Sequence, residues 1–280
     1  DEANTARTAM LKAGIPIEVP ATTIQRQCAS GMQATIFGSQ QIIAGDSDFV
    51  LVGGTESMSN APYVLKGARW GQRLQHGEMT DAMWELLYSG SALLGDGYIM
   101  GVTAENLAKK YNISRAEQDQ VAFESHTKAI AAIDSGRFKD EIIPVPVPQR
   151  KGDPVMFTTD EHPKRDTTME TLGKLKPAYD KNGTVTAGNA SGLNDGACAM
   201  VITSMDKAKE TGAKPMAKIL CNAIAGCEPH LMGYGPVPAI NKLLAKAGLK
   251  LQDIDLFEIN EAFAAQYIAC EKGLGLDRTK

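Results

Sequence analysis

The sequence passes from loop to predicted helix within Ile24-Gln25-Arg26-Gln27-Cys28-Ala29-Ser30-Gly31-Met32-Gln33-Ala34, and Cys28 lies at that boundary. Apolar residues then recur at helical spacing until Gly45 ends the pattern. The next apolar run, residues 48–54, ends in two glycines, which is typical of a buried parallel strand. A helix followed by such a strand is half of a doubly wound unit, so this stretch predicts an α/β fold.

Cys28 is a candidate nucleophile because of its position. The first turn of a helix has unpaired backbone N–H groups and the positive end of the helix dipole, and both favour the thiolate form. The thiolate is the reactive form of cysteine. A buried structural cysteine is the alternative interpretation. A cysteine nucleophile also needs a base, and the local candidate is His230, which precedes Met232 in a predicted turn.

The composition excludes several classes of protein. The chain has 280 residues, 43% hydrophobic and 22% charged, which is typical of a soluble globular chain of one large or two medium domains. A net charge of -4 without runs of like charge argues against a nucleic-acid or membrane partner. Five scattered cysteines without Cys-x-x-Cys spacing argue against a metal site or disulfide framework and predict a reducing, cytoplasmic location.

The remaining sequence predicts α/β alternation around an inserted middle region. Helices are predicted at residues 103–111, 115–135, 205–212, 238–247 and 261–272, with a capping box at Ser114. A buried strand is predicted at residues 197–203, and further strands are predicted at 217–225 and 254–259. The proline-rich residues 141–148 are predicted to be extended, at a sheet edge or as an isolated strand. Residues 66–99 are glycine-rich with little periodicity, which indicates a functional excursion or an assembly surface.

The stretch Asn260-Glu261-Ala262-Phe263-Ala264 follows one of these predicted strands. Ligands of open α/β sheets bind at the carboxyl ends of strands, and the amide of Asn260 could hold a water or a carbonyl oxygen there. The alternative is that Asn260 only caps the helix that follows.

Three other stretches could take part in a binding site, but each also has a purely structural interpretation. Residues 188–197 are small and polar before a strand, so they could let the backbone approach a ligand or only form turns. They do not open a helix after a strand, which argues against a nucleotide phosphate loop. Met100, at the start of residues 100–106, could line an apolar channel or pack in the core. Residues 232–236 are a predicted turn beside an apolar residue.

Together these motifs resemble the thiolase family over essentially the whole chain. The matching segments are residues 28–34, 53–59, 100–106, 188–197, 232–236 and 260–264, in the family's order. The resemblance implies the layered αβαβα thiolase fold with an incomplete C-terminal domain. It implies an N-terminal domain of residues 1–58 and 194–214, a loop domain of residues 59–193 with an oligomerisation excursion at 60–99, and a truncated C-terminal domain of residues 215–280.

The resemblance also implies an activity. The chain would be an acyl-CoA acyltransferase that condenses two acetyl-CoA to acetoacetyl-CoA, or runs the reverse thiolysis, through an acyl-cysteine at Cys28. Asn260 would hold a water that stabilises the enolate oxygen. Coenzyme A thioesters would be substrates, with no other cofactor and no metal, and the chain would form a homo-oligomer, a dimer or tetramer. The residues implied to bind the pantetheine arm are Met100, Tyr179, Ser191, Leu193, Met232, Ala262 and Phe263.

The sequence departs from the family in three respects. The family's first strand and helix and its Gly-His-Pro and Cys-x-Gly motifs do not occur here, so the resemblance implies a fragment without turnover of its own. Ile99 stands where biosynthetic members often have histidine. A longer-chain degradative 3-ketoacyl-CoA thiolase of β-oxidation, a non-catalytic CoA-ester-binding remnant and a redox-sensing cysteine protein therefore remain alternatives to the favoured short-chain enzyme.

Overall fold

A computed structural model describes residues 3–89 and 98–280, so part of the predicted excursion, residues 90–97, lies outside the described residues. The helices are α1 (Thr5–Lys12), α2 (Ser30–Ala44), α3 (Ala82–Leu86), α4 (Met100–Lys110), α5 (Arg115–Asp134), α6 (Met169–Gly173), α7 (Met205–Glu210), α8 (Pro236–Ala247) and α9 (Ala264–Leu274). The strands are β1 (Phe49–Glu56), β2 (Tyr63–Leu65), β3 (Met79–Asp81), β4 (Tyr88–Ser89), β5 (Tyr98–Ile99), β6 (Val145–Val147), β7 (Val155–Phe157) and β8 (Gly196–Thr203). The chain divides into two compact units, residues 1–59 with 194–220 and residues 60–193 with 221–280.

The first unit is built on the strand pair β1–β8. The strands run antiparallel, from the pair Phe49–Thr203 to the pair Glu56–Gly196. Helix α2 packs on this pair, and a Cβ atom at Gly38 would lie 2.8 Å from the side chains of Val52 and Ile202. The absence of a side chain at Gly38 therefore lets the helix approach the strands closely.

The prediction that β1 is a buried parallel strand is wrong for the described residues, and so is the prediction that β8 is buried. β1 and β8 are antiparallel, and Leu51 and Val201 are 53% and 64% exposed. A parallel pair is normally joined by a short helical crossover, whereas β1 and β8 come from distant parts of the sequence, so no such connection sets their direction. The apolar run alone predicted a strand but not its partner.

The second unit has its core where α4, α5 and α9 meet. Leu107, Val121 and Ile268 are each at most 4% exposed, and Val185 reaches the same cluster from a loop. The side chain of Ser114 accepts a hydrogen bond from the N–H of Glu117, whose carboxylate accepts one from the N–H of Ser114, which confirms the predicted capping box. The other predicted helices are also confirmed, with α4 and α9 each beginning three residues from the predicted position.

Two predicted strands are wrong. Residues 217–225 and 254–259 have no regular secondary structure. A strand requires a neighbouring backbone to pair with, and an apolar run cannot supply one. The proline-rich residues 141–148 do contain a strand, β6, which pairs only with the short β7, as expected for an edge.

The described part of the second unit contains three two-stranded ribbons, β2–β3, β4–β5 and β6–β7. Within residues 3–89 and 98–280, no helix has both the length and the apolar character needed to cross a bilayer.

Candidate active site

Cys28 lies in the first unit, in a single 3-10 turn, Gln27–Ala29, directly before α2. Its side chain is exposed. Gln27 has a φ of +45°, a left-handed conformation that is uncommon for a residue with a side chain. The alternative of a buried structural cysteine is therefore wrong, and the thiol is accessible at the start of a four-turn helix.

Asn260 lies in the second unit and is exposed. The helix that follows begins at Ala264, and its N-cap is Phe263. The alternative that Asn260 only caps this helix is therefore wrong. Its amide is available for another purpose.

Four of the predicted pantetheine residues belong to the second unit's core or pack against it. Met100, Tyr179 and Ala262 are partly buried against the cluster that contains Phe263. The rings of Tyr179 and Phe263 meet edge to face, with centroids 6.2 Å apart. Burial raises the pKa of Tyr179, so its phenol stays protonated at neutral pH.

Gly101 explains how Tyr179 reaches this position. A Cβ atom at Gly101 would overlap the ring of Tyr179. The aromatic ring of Tyr179 therefore packs directly against the first turn of α4. This gives the glycine of the 100–106 motif a physical role that the sequence did not suggest.

Met232 lies in the 3-10 helix Pro229–Tyr234, which packs on α4. The side-chain amide of Asn106 donates a hydrogen bond of 2.9 Å to the backbone oxygen of His230, which ties this helix to α4. His230 itself is exposed, and its ring lies 6.3 Å from that of Tyr98. Leu193 is 61% exposed.

Ser191 is joined directly to the Asn260 segment. The N–H of Ser191 donates to the oxygen of Ala262 at 2.9 Å, and the N–H of Ala264 donates to the oxygen of Asn189 at 2.9 Å. Ala190 and Phe263 form an isolated antiparallel bridge between these bonds. The two motifs, far apart in sequence, thus form one short antiparallel pairing.

A cavity of about 640 Å³ opens beside this pairing, lined in part by Ser191 and Asn260. His126 and His162 also line it, with ring centroids 6.0 Å apart. Burial, followed by the proximity of His162 and Lys164, lowers the pKa of His126. Nothing in the spacing of these two histidines in the sequence shows that they meet.

The sequence also missed three buried or shielded polar side chains that hold the 184–189 segment. The carboxylate of Glu105 accepts hydrogen bonds from the N–H groups of Thr184 and Val185 at 2.7–3.0 Å. Asp119 and Asn189 are both 3% exposed and bonded to each other. Among the described residues, no group of three or more histidine, cysteine or acidic side chains is placed to hold a metal ion.

Two family models match the chain. Residues 1–206 match the thiolase N-terminal domain, and residues 213–280 match the thiolase C-terminal domain. The chain belongs to the thiolase family. The predicted α/β class and thiolase fold are thereby confirmed.

Known thiolases are similar over nearly the whole chain. An acetyl-CoA acetyltransferase of Pseudomonas aeruginosa is 51% identical over 277 residues, which are 99% of this chain and 70% of that protein. The crystal structure of the Bacillus anthracis acetyl-CoA acetyltransferase matches with a TM-score of 0.96 and 55% identity, over 100% of this chain and 70% of that one. The human mitochondrial 3-ketoacyl-CoA thiolase in complex with CoA matches with a TM-score of 0.91 and 46% identity, over 98% of this chain and 68% of that one.

Cys28 belongs to the first unit of this thiolase, whereas Asn260 and the predicted pantetheine residues belong to the second. Within the second unit, the structure brings Ser191 and the Asn260 segment together and gathers Met100, Tyr179 and Phe263 around one core cluster. These are the parts from which a site for a CoA ester can be built.

Proposed function

We propose that this thiolase transfers acyl groups between CoA thioesters, condensing two acetyl-CoA to acetoacetyl-CoA or catalysing the reverse cleavage. The single observation that carries this is the similarity, at about 50% identity across the chain, to proteins named acetyl-CoA acetyltransferase. The exposed thiol of Cys28 in the turn directly before α2 supports it, because a nucleophile must be accessible to the thioester.

The first half of the proposed reaction takes place at Cys28. Its Sγ attacks the thioester carbonyl carbon of acetyl-CoA, a new C–S bond forms, and the bond to the CoA sulfur breaks. The CoA thiolate leaves and takes up a proton, which leaves an acetyl-cysteine. In the second half, a second acetyl-CoA loses an α-proton, and its α-carbon attacks the acyl group while the amide of Asn260 holds a water against the enolate oxygen. A C–C bond forms, the C–S bond to Cys28 breaks, and the released Cys28 thiolate takes up the proton, which leaves acetoacetyl-CoA.

The pantetheine arm is proposed to run along the second unit's apolar surface. Met100, Tyr179 and Phe263 supply apolar and aromatic contact, as is usual in ligand sites. Ser191 is exposed next to the pairing with Ala262, where its hydroxyl can bond an amide of the arm. The remaining members of the proposed set are Leu193, Met232 and Ala262.

Acetylation of Cys28 tests this function. The purified chain is incubated with acetyl-CoA, and each cysteine peptide is analysed by mass spectrometry. We expect an acetyl adduct on Cys28, none in Cys28→Ala, and an unchanged adduct in Cys198→Ala, which removes the other fully exposed thiol. Equal labelling of Cys198, or no labelling, would contradict the proposal, and CoA binding without labelling would favour a non-catalytic CoA-ester-binding protein.

A longer-chain 3-ketoacyl-CoA thiolase is a second candidate. The similarity to the human mitochondrial 3-ketoacyl-CoA thiolase favours it, as does Ile99 where a histidine is often found in biosynthetic members. The comparison of Cys28 acylation by acetyl-CoA and octanoyl-CoA separates the two. Faster acetyl transfer supports the short-chain enzyme, and faster octanoyl transfer supports the longer-chain one.

The domain limits, assembly and location form part of this proposal. We place the N-terminal domain at residues 1–58 with 194–214, the loop domain at 59–193 and the C-terminal domain at 215–280. Exposed Trp70, Leu74 and Met79 in the excursion support a homo-oligomer, which sedimentation would measure. Free cysteines support a reducing, cytoplasmic location.

A further inference from the structure

Asp119 is a buried carboxylate near the start of α5. Its side chain is nearly inaccessible, and both of its oxygens are bonded. Oδ2 accepts a hydrogen bond of 2.7 Å from Nε of Arg115, and Oδ1 accepts one of 2.9 Å from Nδ2 of Asn189. Burial of a carboxylate is unfavourable unless charge and hydrogen bonds compensate it, so this arrangement depends on both partners.

Asn189 uses all of its polar atoms to hold the segment before Ser191. Its Oδ1 accepts from the N–H of Thr186 at 2.8 Å, and its Nδ2 donates to the oxygen of Thr184 at 3.1 Å as well as to Asp119. Its backbone oxygen accepts from the N–H of Ala264. Asn189 therefore links α5 to the start of α9.

The linkage ends at the proposed CoA-ester site. Two residues after Asn189, the N–H of Ser191 bonds the oxygen of Ala262, with the Ala190–Phe263 bridge between. Asp119 has no free oxygen left for a ligand, since Arg115 and Asn189 take both. Its effect on a ligand must pass through Asn189 and this pairing.

We propose that Asp119 and Asn189 are positioning residues for the CoA ester, which fix the Ser191 segment against the Asn260–Phe263 segment. This inference rests on the proposed function. Arg115 completes the arrangement, because its Nη2 also donates to the oxygen of Leu172 and so holds the guanidinium in place.

An exchange of the two side chains tests the pair. Asn189→Asp places a second carboxylate against that of Asp119, so we expect the Kd for CoA to rise about tenfold or more. In the double variant Asp119→Asn/Asn189→Asp, a donor again faces an acceptor and Arg115 keeps an oxygen, although the carboxylate at 189 gives no hydrogen bond to the oxygen of Thr184. We expect its Kd to be about threefold or more below that of Asn189→Asp, and still above the original value.

The pH dependence of the Kd for CoA separates a positioning role from a general loss of structure. In Asn189→Asp, acid should restore part of the CoA affinity, because one of two facing carboxylates gains a proton. The double variant should not show this recovery. Val237→Ala, a buried change in α8 outside the core cluster that contains Phe263, provides a control that lowers thermal stability without altering the Kd for CoA.

The outcomes are distinguishable. If the original chain binds no CoA, the proposed function fails. If it binds CoA and Asn189→Asp binds equally well, or the double variant is no better than the single one, the positioning role is overturned. If Asn189→Asp does not fold, Asp119→Asn alone sets two donors against one oxygen, and it must weaken CoA binding more than Val237→Ala does.

Discussion

The hydroxyl of Ser30 donates a hydrogen bond of 2.7 Å to the backbone oxygen of Gln27 and accepts one of 2.8 Å from the N–H of Arg26. These bonds close the turn that contains Cys28. Gln27 has a φ of +45°, a conformation that costs a non-glycine residue about 1–2 kcal/mol. The side chain of Ser30 therefore stabilises the backbone that presents the thiol.

Ser30→Ala should separate the reactivity of Cys28 from its orientation. We expect acetyl transfer from acetyl-CoA to slow about tenfold, because that reaction needs an aligned thiol. Alkylation by iodoacetamide should change little, since Cys28 is exposed in either case. The free energy of unfolding should fall by about 1 kcal/mol.

Ser30→Thr keeps the hydroxyl and is the matched control for this variant. It should retain most of the acetyl transfer rate. An equal loss in both variants would mean that the hydroxyl is not what positions the thiol. Mass spectrometry of the Cys28 peptide measures both modifications.

The helices could be predicted because their ends are encoded locally. Ser114 and Glu117 form the capping box of α5, and Gly45 and Gly248 end α2 and α8 in left-handed conformations. These signals depend on neighbours three or four residues away. The same local reading located Cys28 at the start of α2.

The strands and the buried network could not be predicted in this way. Residues 217–225 and 254–259 have strand-like sequences, but pairing depends on distant backbone that a local pattern does not identify. Asp119 lies in a helix rich in polar residues, where an acidic side chain ordinarily indicates an exposed face. Its partner Asn189 is far away in sequence, so only the three-dimensional structure shows that both are buried.

Gly101→Ala should disturb the aromatic pair. The added methyl group would overlap the ring of Tyr179, which already packs edge to face on Phe263. Overpacking of this kind costs about 1–3 kcal/mol, more than alanine gains in the first turn of a helix. We expect lower thermal stability and weaker CoA binding, measured by calorimetry.

Gly226→Ala is the control for this variant, because a Cβ atom there meets nothing within 4 Å. It should change the free energy of unfolding by less than about 0.5 kcal/mol. If both variants behave alike, contact with Tyr179 is not the cause.

The pair His126 and His162 predicts a stability change in weak acid. Burial and then the positive charge of a protonated His162 hold the pKa of His126 below its ordinary value of 6.5, although Glu261 opposes this. Its Nδ1 also accepts a hydrogen bond of 3.2 Å from the N–H of Lys164, which requires that nitrogen to be unprotonated. As pH falls below 6.5, the unfolded chain takes up a proton that the folded one resists, so the free energy of unfolding falls.

Two variants test this interpretation by denaturant unfolding at a series of pH values. His126→Gln should remove the part of the acid-dependent loss of stability that comes from His126. His162→Gln should reduce the loss of stability in acid. It should also raise the pKa of His126 in an NMR titration, because the charge of His162, which lowers that pKa, is gone. An unchanged titration of His126 in His162→Gln would show that the two rings do not interact.

Cys270 predicts that the free energy of unfolding also falls in alkali, as pH rises. It is fully buried in α9, and its Sγ donates a hydrogen bond of 3.3 Å to the oxygen of Gly233. Burial raises the pKa of Cys270 from its ordinary value of 9.0 to about 11. A raised pKa contributes stability that is fully present below pH 9.0 and is lost as pH rises toward about 11, because the unfolded chain releases the proton first.

Cys270→Ala should therefore flatten the alkaline part of the stability profile, although it lowers stability at pH 7 by loss of packing. Ile268→Val, which removes a buried methyl group from the same helix, should lower stability at pH 7 and keep the alkaline slope. Alkylation at pH 8 provides a second measurement, in which Cys28 and Cys198 react in the folded chain and Cys270 reacts only after unfolding. Fast alkylation of Cys270 in the folded chain would contradict its burial, and equal slopes in the two variants would show that its thiol does not set the alkaline limit.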